Sequence, residues 1–456
     1  MVEQRLFGTS GIRGIFSADV TPKLALDVGL ALASHTNAGE VVLGRDTRVS
    51  SPLLEHSVTS GLLAGGSEVQ RLGLTPTPVL AFLTRELKAD AGVMITASHN
   101  PPEYNGIKIF NSESMAYNEE EQKEIEKIIK HKIFKRARWQ DIRAPISLEE
   151  THRYAEAIKK AVALQRRWRV VLDPGCGATC HAAPSLFRML GCKVTAMNGQ
   201  PDGFFPGRGP APDLKTLRSL CEAVKRLRVD VGIAYDGDGD RMVVIDENGA
   251  IAPLDQTLAA YAKYSIRRHR RGVVVTTVEA SMCLEKIIEP VHGRVVRTRV
   301  GDVNVATAVK GHKAVFGGEP CGAWIHPQFH YCPDGILSSV LLLKALEDED
   351  ETPSSFVSDV PRYPILRRKL SCPQKAKSMV MEDLQGTLPS LYSEIEEKLD
   401  IDGVRLTLKN GWILVRPSGT EPLIRVTVEA ESREEAENIM ETGIKQVKKS
   451  VEETTK

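Results

Sequence analysis

The sequence predicts an α/β protein: three similar α/β domains with mainly parallel mixed sheets, followed by a smaller C-terminal α+β domain. Three observations carry this expectation. At 456 residues the chain is too long for one core, and about 150 residues per domain suggests three or four domains. Short β-rich runs alternate with amphipathic helical runs through most of the chain. The tail departs from that alternation, with "GVRLTLKNG", "WILVRPSG" and "LIRVTVEA" following one another closely.

In chain order, "EVVLGRD" is a strand, "SPLLEHSVTSGLLAGG" a helix and "EVQRLG" a second strand. A helix then starts at Thr-Pro-Thr-Pro and leads to the strand "AGVMITA". The charged helix "NEEEQKEIEKIIK" and a polar stretch close the unit near Glu150. The pattern restarts at "WRVVLDPG", passes a helix ending near Leu190, "CKVTAMN" and a helix over "DLKTLRSLCEAVKRL", and reaches "VDVGIAY". It restarts again with "GVVVTTV", "GRVVRTR" and "KAVFGG". Past the acidic "EDEDETPSS", the tail begins with "YPILRRKLSC". Asn410-Gly411 between strand-like runs predicts a hairpin, and a helix is expected from Ser432 onward. The expected domains are 1–150, 151–251, 252–360 and 361–456.

Composition excludes several function classes. A net charge of +1 leaves no electrostatic footprint for nucleic acid or an anionic membrane. No apolar run is long enough to span a bilayer, and "MVEQRLFGTSG" lacks the basic and apolar regions of a signal peptide. The eight cysteines are scattered, and the C-x3-C pair Cys176 and Cys180 has no matching second half. That argues against zinc and for reduced thiols in the cytoplasm.

Each α/β repeat ends a strand in a polar or Gly-rich loop, "MITASHN", "IAYDGDGD" and "VFGGEPCG". Open α/β sheets bind ligands beyond the carboxyl ends of their strands, so three equivalent loops suggest one shared site. In "ITASHNPPEYNGIK", Ser98 beside His99 is either an ordinary turn residue or a hydroxyl held out for reaction. In "YDGDGDRMVVID", Asp236, Asp238 and Asp240 alternate, and in an extended backbone they would face one side. Three packed carboxylates resist ionisation unless a cation sits among them, so the motif is either a solvated acidic turn or a cation site, whose oxygen-only ligands would suit Mg²⁺ or Ca²⁺. An EF-hand fails, because Arg241 occupies the position where its loop needs glycine. Arg241 instead adds a cation beside the metal, aimed at an anion.

"FGTSGIRG" offers Gly8, Gly11 and Gly14 with Thr9, Ser10 and Arg13, a Gly-rich turn or an anion nest with a charged fork. "RPSGTEPLIR" presents Arg416, Ser418, the Gly419 backbone, Thr420 and Arg425, either a Pro-Ser-Gly turn with surface arginines or a set that suits a phosphate dianion. In "GGEPCGAW", Glu319 is either an exposed loop carboxylate or a partner for sugar hydroxyls or an ammonium.

Taken in order from "GTSGIRG" through "TASHNP" and "DGDGDR" to "RPSGTEP", these loops resemble the α-D-phosphohexomutase family over essentially the whole chain. The family comprises phosphoglucomutases, phosphomannomutases and phosphoglucosamine mutases. The resemblance implies four domains arranged as a heart around a central cleft, with one loop from each. It implies that Ser98 is a phosphoserine that donates and receives the phosphoryl group. Mg²⁺ would sit among Asp236, Asp238, Asp240 and an oxygen of that phosphoserine. His99 and Lys108 would assist proton transfer and charge balance, with Arg13 and Arg241 close by. Arg416, Ser418, Gly419 and Thr420 would grip the phosphate that is not reacting. A hexose 6-phosphate and a hexose 1-phosphate would interconvert through a hexose 1,6-bisphosphate that turns over within the site. Pro-Pro would stop the Ser98 strand, and Lys108 would return to the same place on the next one.

One departure bears on the substrate. Many relatives carry Ser and His in the third loop, where this chain has Cys321 and Ala323. "GEPCGAW" is similar to the archaeal phosphoglucosamine mutase branch, in which Glu319 would face a 2-ammonium group. A phosphomannomutase or phosphoglucomutase is the alternative within the family. A Mg²⁺-dependent sugar-phosphate phosphatase and a non-catalytic sugar-phosphate sensor are alternatives of other classes. The partner in each case is a small sugar phosphate, with neither nucleic acid nor membrane, and a homo-oligomer is compatible with the sequence.

Overall fold

Each alternating stretch of strand and helix closes into its own sheet, and the tail forms a fourth. The computed structural model describes residues 5–418 and 421–455. The first sheet contains β1 (Ile12–Ile15), β2 (Glu40–Arg45), β3 (Glu68–Leu74), β4 (Ala91–Ile95), β5 (Tyr104–Asn111) and β6 (Ile146–Ser147), in the order β1-β5-β4-β2-β3-β6. Strands β2, β3, β4 and β6 run parallel, whereas β1 and β5 run antiparallel to their neighbours. Every residue of β4 is buried, as its unbroken apolar run requires of a strand covered on both faces. Lys108 on β5 pairs across from Met94, which brings it back to the end of β4.

The second sheet holds β7 (Arg169–Asp173), β8 (Lys193–Ala196), β9 (Val231–Tyr235) and β10 (Met242–Ile245), in the order β10-β9-β7-β8. Tyr235 pairs with Met242, so the aspartate motif forms the tip of a β9–β10 hairpin. The third sheet holds β11 (Gly272–Thr277), β12 (Gly293–Thr298), β13 (Phe316–Gly318) and β14 (Trp324–Ile325), in the order β12-β11-β13-β14. The fourth comprises β15 (Ile365–Ser371), β16 (Ile395–Leu399), β17 (Val404–Leu408), β18 (Gly411–Pro417) and β19 (Leu423–Ala430). Its order is β15-β19-β18-β17-β16, antiparallel throughout. The Asn410-Gly411 hairpin joins β17 to β18, and helix Arg433–Thr455 follows the last strand.

One expected helix is shorter than its pattern. The run from Asp213 becomes helical only at Arg218. The Asp213 carboxylate accepts the Lys215 and Thr216 N–H groups and holds that stretch as a turn. No helix among the described residues is long and apolar enough to cross a membrane.

The first three domains share apolar packing. One cluster joins Val79 and Phe82 of the first to Trp168 and Leu186 of the second and Trp324 and Leu337 of the third. The fourth has its own core and meets the third through Val278, Trp412 and Leu414. Within the shared core, the buried Tyr154 hydroxyl donates to both oxygens of Asp334, at 2.9 and 2.8 Å. Asp334 also caps helix Gly335–Asp348 and lies 2.9 Å from His330. Removing one donor from this carboxylate by Tyr154→Phe should cost about 1.5–3 kcal/mol in urea unfolding, the usual worth of a hydrogen bond to a charged group. An unchanged unfolding midpoint would show that this hydroxyl adds nothing to the packing of the second domain on the third.

Candidate active site

Beyond Ile95 the chain leaves the sheet, and Ser98 adopts φ +51°, a left-handed conformation that costs a serine about 1 kcal/mol. Its side chain is wholly buried. The hydroxyl donates to Asp236 Oδ2 at 2.6 Å and lies 3.2 Å from His99 Nδ1. Gly237 comes so close to this loop that a Cβ there would lie 2.5 Å from the Ser98 carbonyl oxygen. The two loops therefore fit together only with glycine at that position.

Asp236, Asp238 and Asp240 do cluster, but not through the extended backbone that their alternation suggested. They lie in a tight turn: the Asp236 carboxylate accepts the Gly239 N–H, and Gly239 sits at φ +80°. Three helix N-termini hold the turn's backbone. Gly237 O accepts from Ala178 N, Asp238 O from Thr77 N, and Gly239 O from Gly335 N. Those donors begin helices Thr179–Met189, Thr77–Glu86 and Gly335–Asp348, which belong to the second, first and third domains. Helix N-termini also favour nearby negative charge.

One oxygen from each aspartate lies within 4.8 Å of the other two. Lys108 Nζ bridges the cluster, at 2.9 Å from Asp238 and 2.7 Å from Asp240. Thr77 Oγ1 donates to Asp238 at 2.6 Å. Burial, with the other two carboxylates, pushes the Asp236 carboxyl well up. Burial also works against an ionised Asp238, but Lys108 and Thr77 overcome it and hold that carboxyl low. Burial likewise opposes charge on Lys108, and Asp238 and Asp240 outweigh it, so the ammonium persists. Asp238 Oδ1 and Asp240 Oδ1 remain buried without a hydrogen-bond partner, and Asp240 Oδ1 faces Arg241 Nε at 3.6 Å. Unpartnered buried carboxylate oxygens are costly, and a hard divalent cation is the group this donor set fits.

Arg13 and Arg241 each keep a buried Nε that makes no hydrogen bond, so the cleft also holds donors for an anion. Arg13 Nη1 lies 3.4 Å from Asn100 Oδ1, and Arg241 Nε lies 3.6 Å from Asp240. Burial, Arg241 and Arg13 together depress His99 to about 3, leaving its imidazole neutral at physiological pH. Glu319 is buried, its Oε2 accepts the Gly301 N–H at 3.2 Å, and burial pushes its carboxyl up to about 7. Burial pushes Cys321 up to about 12, so it is a thiol. Ser10 donates to Asp302 at 2.9 Å, tying the first loop to the third domain, and Thr9 beside it is exposed.

The C-terminal set is arranged differently. Arg416 at the end of β18 is paired with Glu279 at 2.8 Å and Asp402 at 3.0 Å. Ser418 is buried, and its hydroxyl accepts the Glu421 N–H at 3.2 Å. Arg425 is exposed and pairs with Glu421 at 3.0 Å. Gly419 and Thr420 lie outside the described residues. Among the described residues, no hydrogen bond or ion pair joins Arg416, Ser418 or Arg425 to Ser98 or the aspartates.

Sequence reasoning passed over Asp46, Arg48, Thr77, Thr96 and Arg208, which support the two central loops. The available signal was charge at the end of an otherwise apolar strand, as in "VVLGRDTR".

Comparison with known proteins matches the chain to consecutive domains of phosphoglucomutase/phosphomannomutase. The alpha/beta/alpha domains I, II and III match residues 4–136, 152–249 and 253–363, and the C-terminal domain matches 369–445. A probable phosphoglucosamine mutase of Pyrococcus abyssi is 45% identical over 99% of both chains. One from Methanothermobacter thermautotrophicus is 45% identical over 96% of both. The crystal structure of a phosphoglucomutase/phosphomannomutase family protein from Burkholderia thailandensis superposes with a TM-score of 0.89 at 26% identity, covering 99% of this chain and 98% of that one.

The raised Glu319 carboxyl has a pH signature. An unfolded glutamate releases its proton near 4.5 and the folded one near 7. Stability therefore falls as pH rises through that window, and the penalty, about 3 kcal/mol, is complete above it. Glu319→Gln should unfold at a higher temperature than the parent at about pH 8, with the gap closing at about pH 4.5. A gap of equal size at both pH values would assign the effect to packing.

Proposed function

The chain belongs to the phosphoglucomutase/phosphomannomutase family, and on that premise we propose that it interconverts hexose 6-phosphate and hexose 1-phosphate, with glucosamine phosphate as its principal substrate. The observation that carries this reading is the contact between Ser98 and the aspartates: a buried serine hydroxyl, 2.6 Å from Asp236, beside a lysine-bridged acidic cluster.

Ser98 carries the phosphoryl group. A sugar hydroxyl attacks phosphorus in line, the P–Oγ bond breaks, and the hydroxyl proton passes by way of His99 to the departing Ser98 Oγ. The bisphosphorylated sugar then turns to return its other phosphoryl group to Ser98, with the proton moving in reverse. Asp236, Asp238, Asp240 and a phosphoryl oxygen on Ser98 would hold Mg²⁺, which when bound supplies charge neutralisation at the transferring oxygens. Lys108 stays an ammonium and balances charge. His99 is neutral and offers a lone pair beside the reacting oxygens; a phosphate dianion next to it raises its basicity. Arg13 and Arg241 present N–H groups that make no hydrogen bond within the protein to the phosphoryl oxygens, and Thr9 and Ser10 border the same cleft.

Arg416, Ser418, Gly419, Thr420 and Arg425 hold the phosphate that is not reacting, once Arg416 exchanges its carboxylate partners for it. Glu319 meets the sugar's 2-ammonium, and a cation there draws its carboxyl back to the ionised form. Cys321 stands where a hydroxyl contact is missing. The relatives' designation as probable phosphoglucosamine mutases supports that choice of sugar. On this reading segments 1–150, 151–251, 252–360 and 361–456 contribute the phosphoserine, metal, sugar and distal-phosphate loops. A free sugar phosphate as substrate suits a cytoplasmic enzyme, and hexose 1,6-bisphosphate serves as intermediate and activator.

Ser98→Ala should abolish isomerisation without unfolding the protein, and intact mass should show one phosphate on the active parent and none on the variant. Chelation should stop turnover, and added Mg²⁺ should restore it. On one preparation, kcat/KM should be highest for glucosamine phosphate, ahead of the glucose and mannose phosphates. A fully active Ser98→Ala, or phosphate release without isomerisation, would sink the mutase assignment.

A further inference from the structure

We propose that Arg48 is a positioning residue for the phosphoryl-transfer loop: acting with Asp46 and Thr96, it sets the backbone that presents Ser98 and touches neither substrate nor the Ser98 side chain. The proposal rests on the reading of Ser98 as phosphoryl carrier.

The guanidinium is completely buried, and all five of its N–H donors are used. Nε donates to Asp46 Oδ2 at 3.0 Å. Nη1 donates to the carbonyls of Pro101 and Tyr104, at 2.5 and 2.9 Å. Nη2 donates to the carbonyls of Ser98 and Asn100, at 2.8 and 2.7 Å. One side chain thus satisfies four carbonyls of the loop that leaves β4 and returns in β5. Asp46 continues the linkage by accepting from Thr96 Oγ1 at 2.7 Å, and the same oxygen accepts the Ser98 N–H at 2.9 Å. Ser98 is therefore held through both its N–H and its C=O, in a left-handed conformation that it would not adopt at no cost.

Phe205 from the second domain lies over the guanidinium at 5.4 Å. The second domain repeats the device. Arg208 pairs with the buried Asp173 at 2.9 Å and donates to the Tyr235 carbonyl, immediately before Asp236. Both partners of the Ser98–Asp236 contact are thus aimed by a buried Asp–Arg pair at the end of a neighbouring strand.

Lysine cannot replace Arg48, because three donors on one nitrogen cannot reach four separated carbonyls and Asp46. Arg48→Lys should lower kcat tenfold or more in a coupled assay on glucosamine 6-phosphate, with KM within about twofold of the parent. Because a change at this buried site can prevent folding, Thr96 supplies an independent arm. Thr96→Val removes the linking oxygen at nearly constant volume and should lower kcat similarly. Thr96→Ser keeps the oxygen, loses a buried methyl, and should restore kcat even where its thermal midpoint is the lower of the two. A purely structural role predicts the reverse order. Parent-like kcat in Thr96→Val, or equal losses in Thr96→Val and Thr96→Ser, would overturn the proposal. If Ser98→Ala is inactive in that case, the mutase reading stands without it; if Ser98→Ala is active, that reading has failed as well.

Discussion

Keeping Asp236, Asp238 and Asp240 together in a buried turn is the constraint on which the rest of the cleft depends. Like charges this close repel, and burial removes the water that would screen them. The fold answers with groups from three domains. Lys108 enters on β5 and binds two of the three carboxylates. Helix N-termini from the first, second and third domains take the turn's successive carbonyls. The Ser98 hydroxyl donates a hydrogen bond to the third carboxylate. The acidic cluster is therefore complete only where the first three domains meet. Two carboxylate oxygens still accept no hydrogen bond, and that remaining deficit is what a bound cation would fill.

A second theme is the use of buried cations to hold loops. Any loop that turns its carbonyls inward must find donors for them. Arg48 does this for the Ser98 loop and Arg208 for the end of β9. Arg297 does it after β11, where it takes the carbonyls of Thr277, Ala280 and Ser281 and pairs with Glu285. Lys377 does it in the fourth domain, donating to Ser418 O and Glu421 O. In the first three cases a carboxylate accompanies the cation, so the charge is compensated where it is buried.

The chemistry was legible in the sequence wherever one short segment carried it. "TASHNP" and "DGDGDR" put Ser98 and the three aspartates on view, and the structure brings these residues together; the change from alternating helices and strands to close-set strands announced the fourth sheet. What escaped was pairing between distant segments. Asp46 and Arg48 looked like a strand end, yet their partners lie on the loop some fifty residues later. Thr77 read as the start of a helix, although its hydroxyl meets a carboxylate in another domain. The aspartates were correctly grouped for an incorrect reason, since side-chain alternation holds in a strand and these residues occupy a turn. Asp213 shows the local version of the same limit: an amphipathic pattern extends to it, but its own side chain captures the backbone first.

The seam between the third and fourth domains has a thermodynamic consequence. Arg416 spans it, with its guanidinium divided between Glu279 of the third domain and Asp402 of its own. Such a cation is a shared resource: an oxyanion that takes it does so in competition with the seam. Linkage then runs in both directions. Whatever loosens the seam sharpens the appetite of Arg416 for an external anion, and whatever anion binds there weakens the seam by the same factor. One of the contacts that attach the fourth domain thus has a strength that depends on the anions around it, beside an apolar contact of Val278, Trp412 and Leu414 that does not.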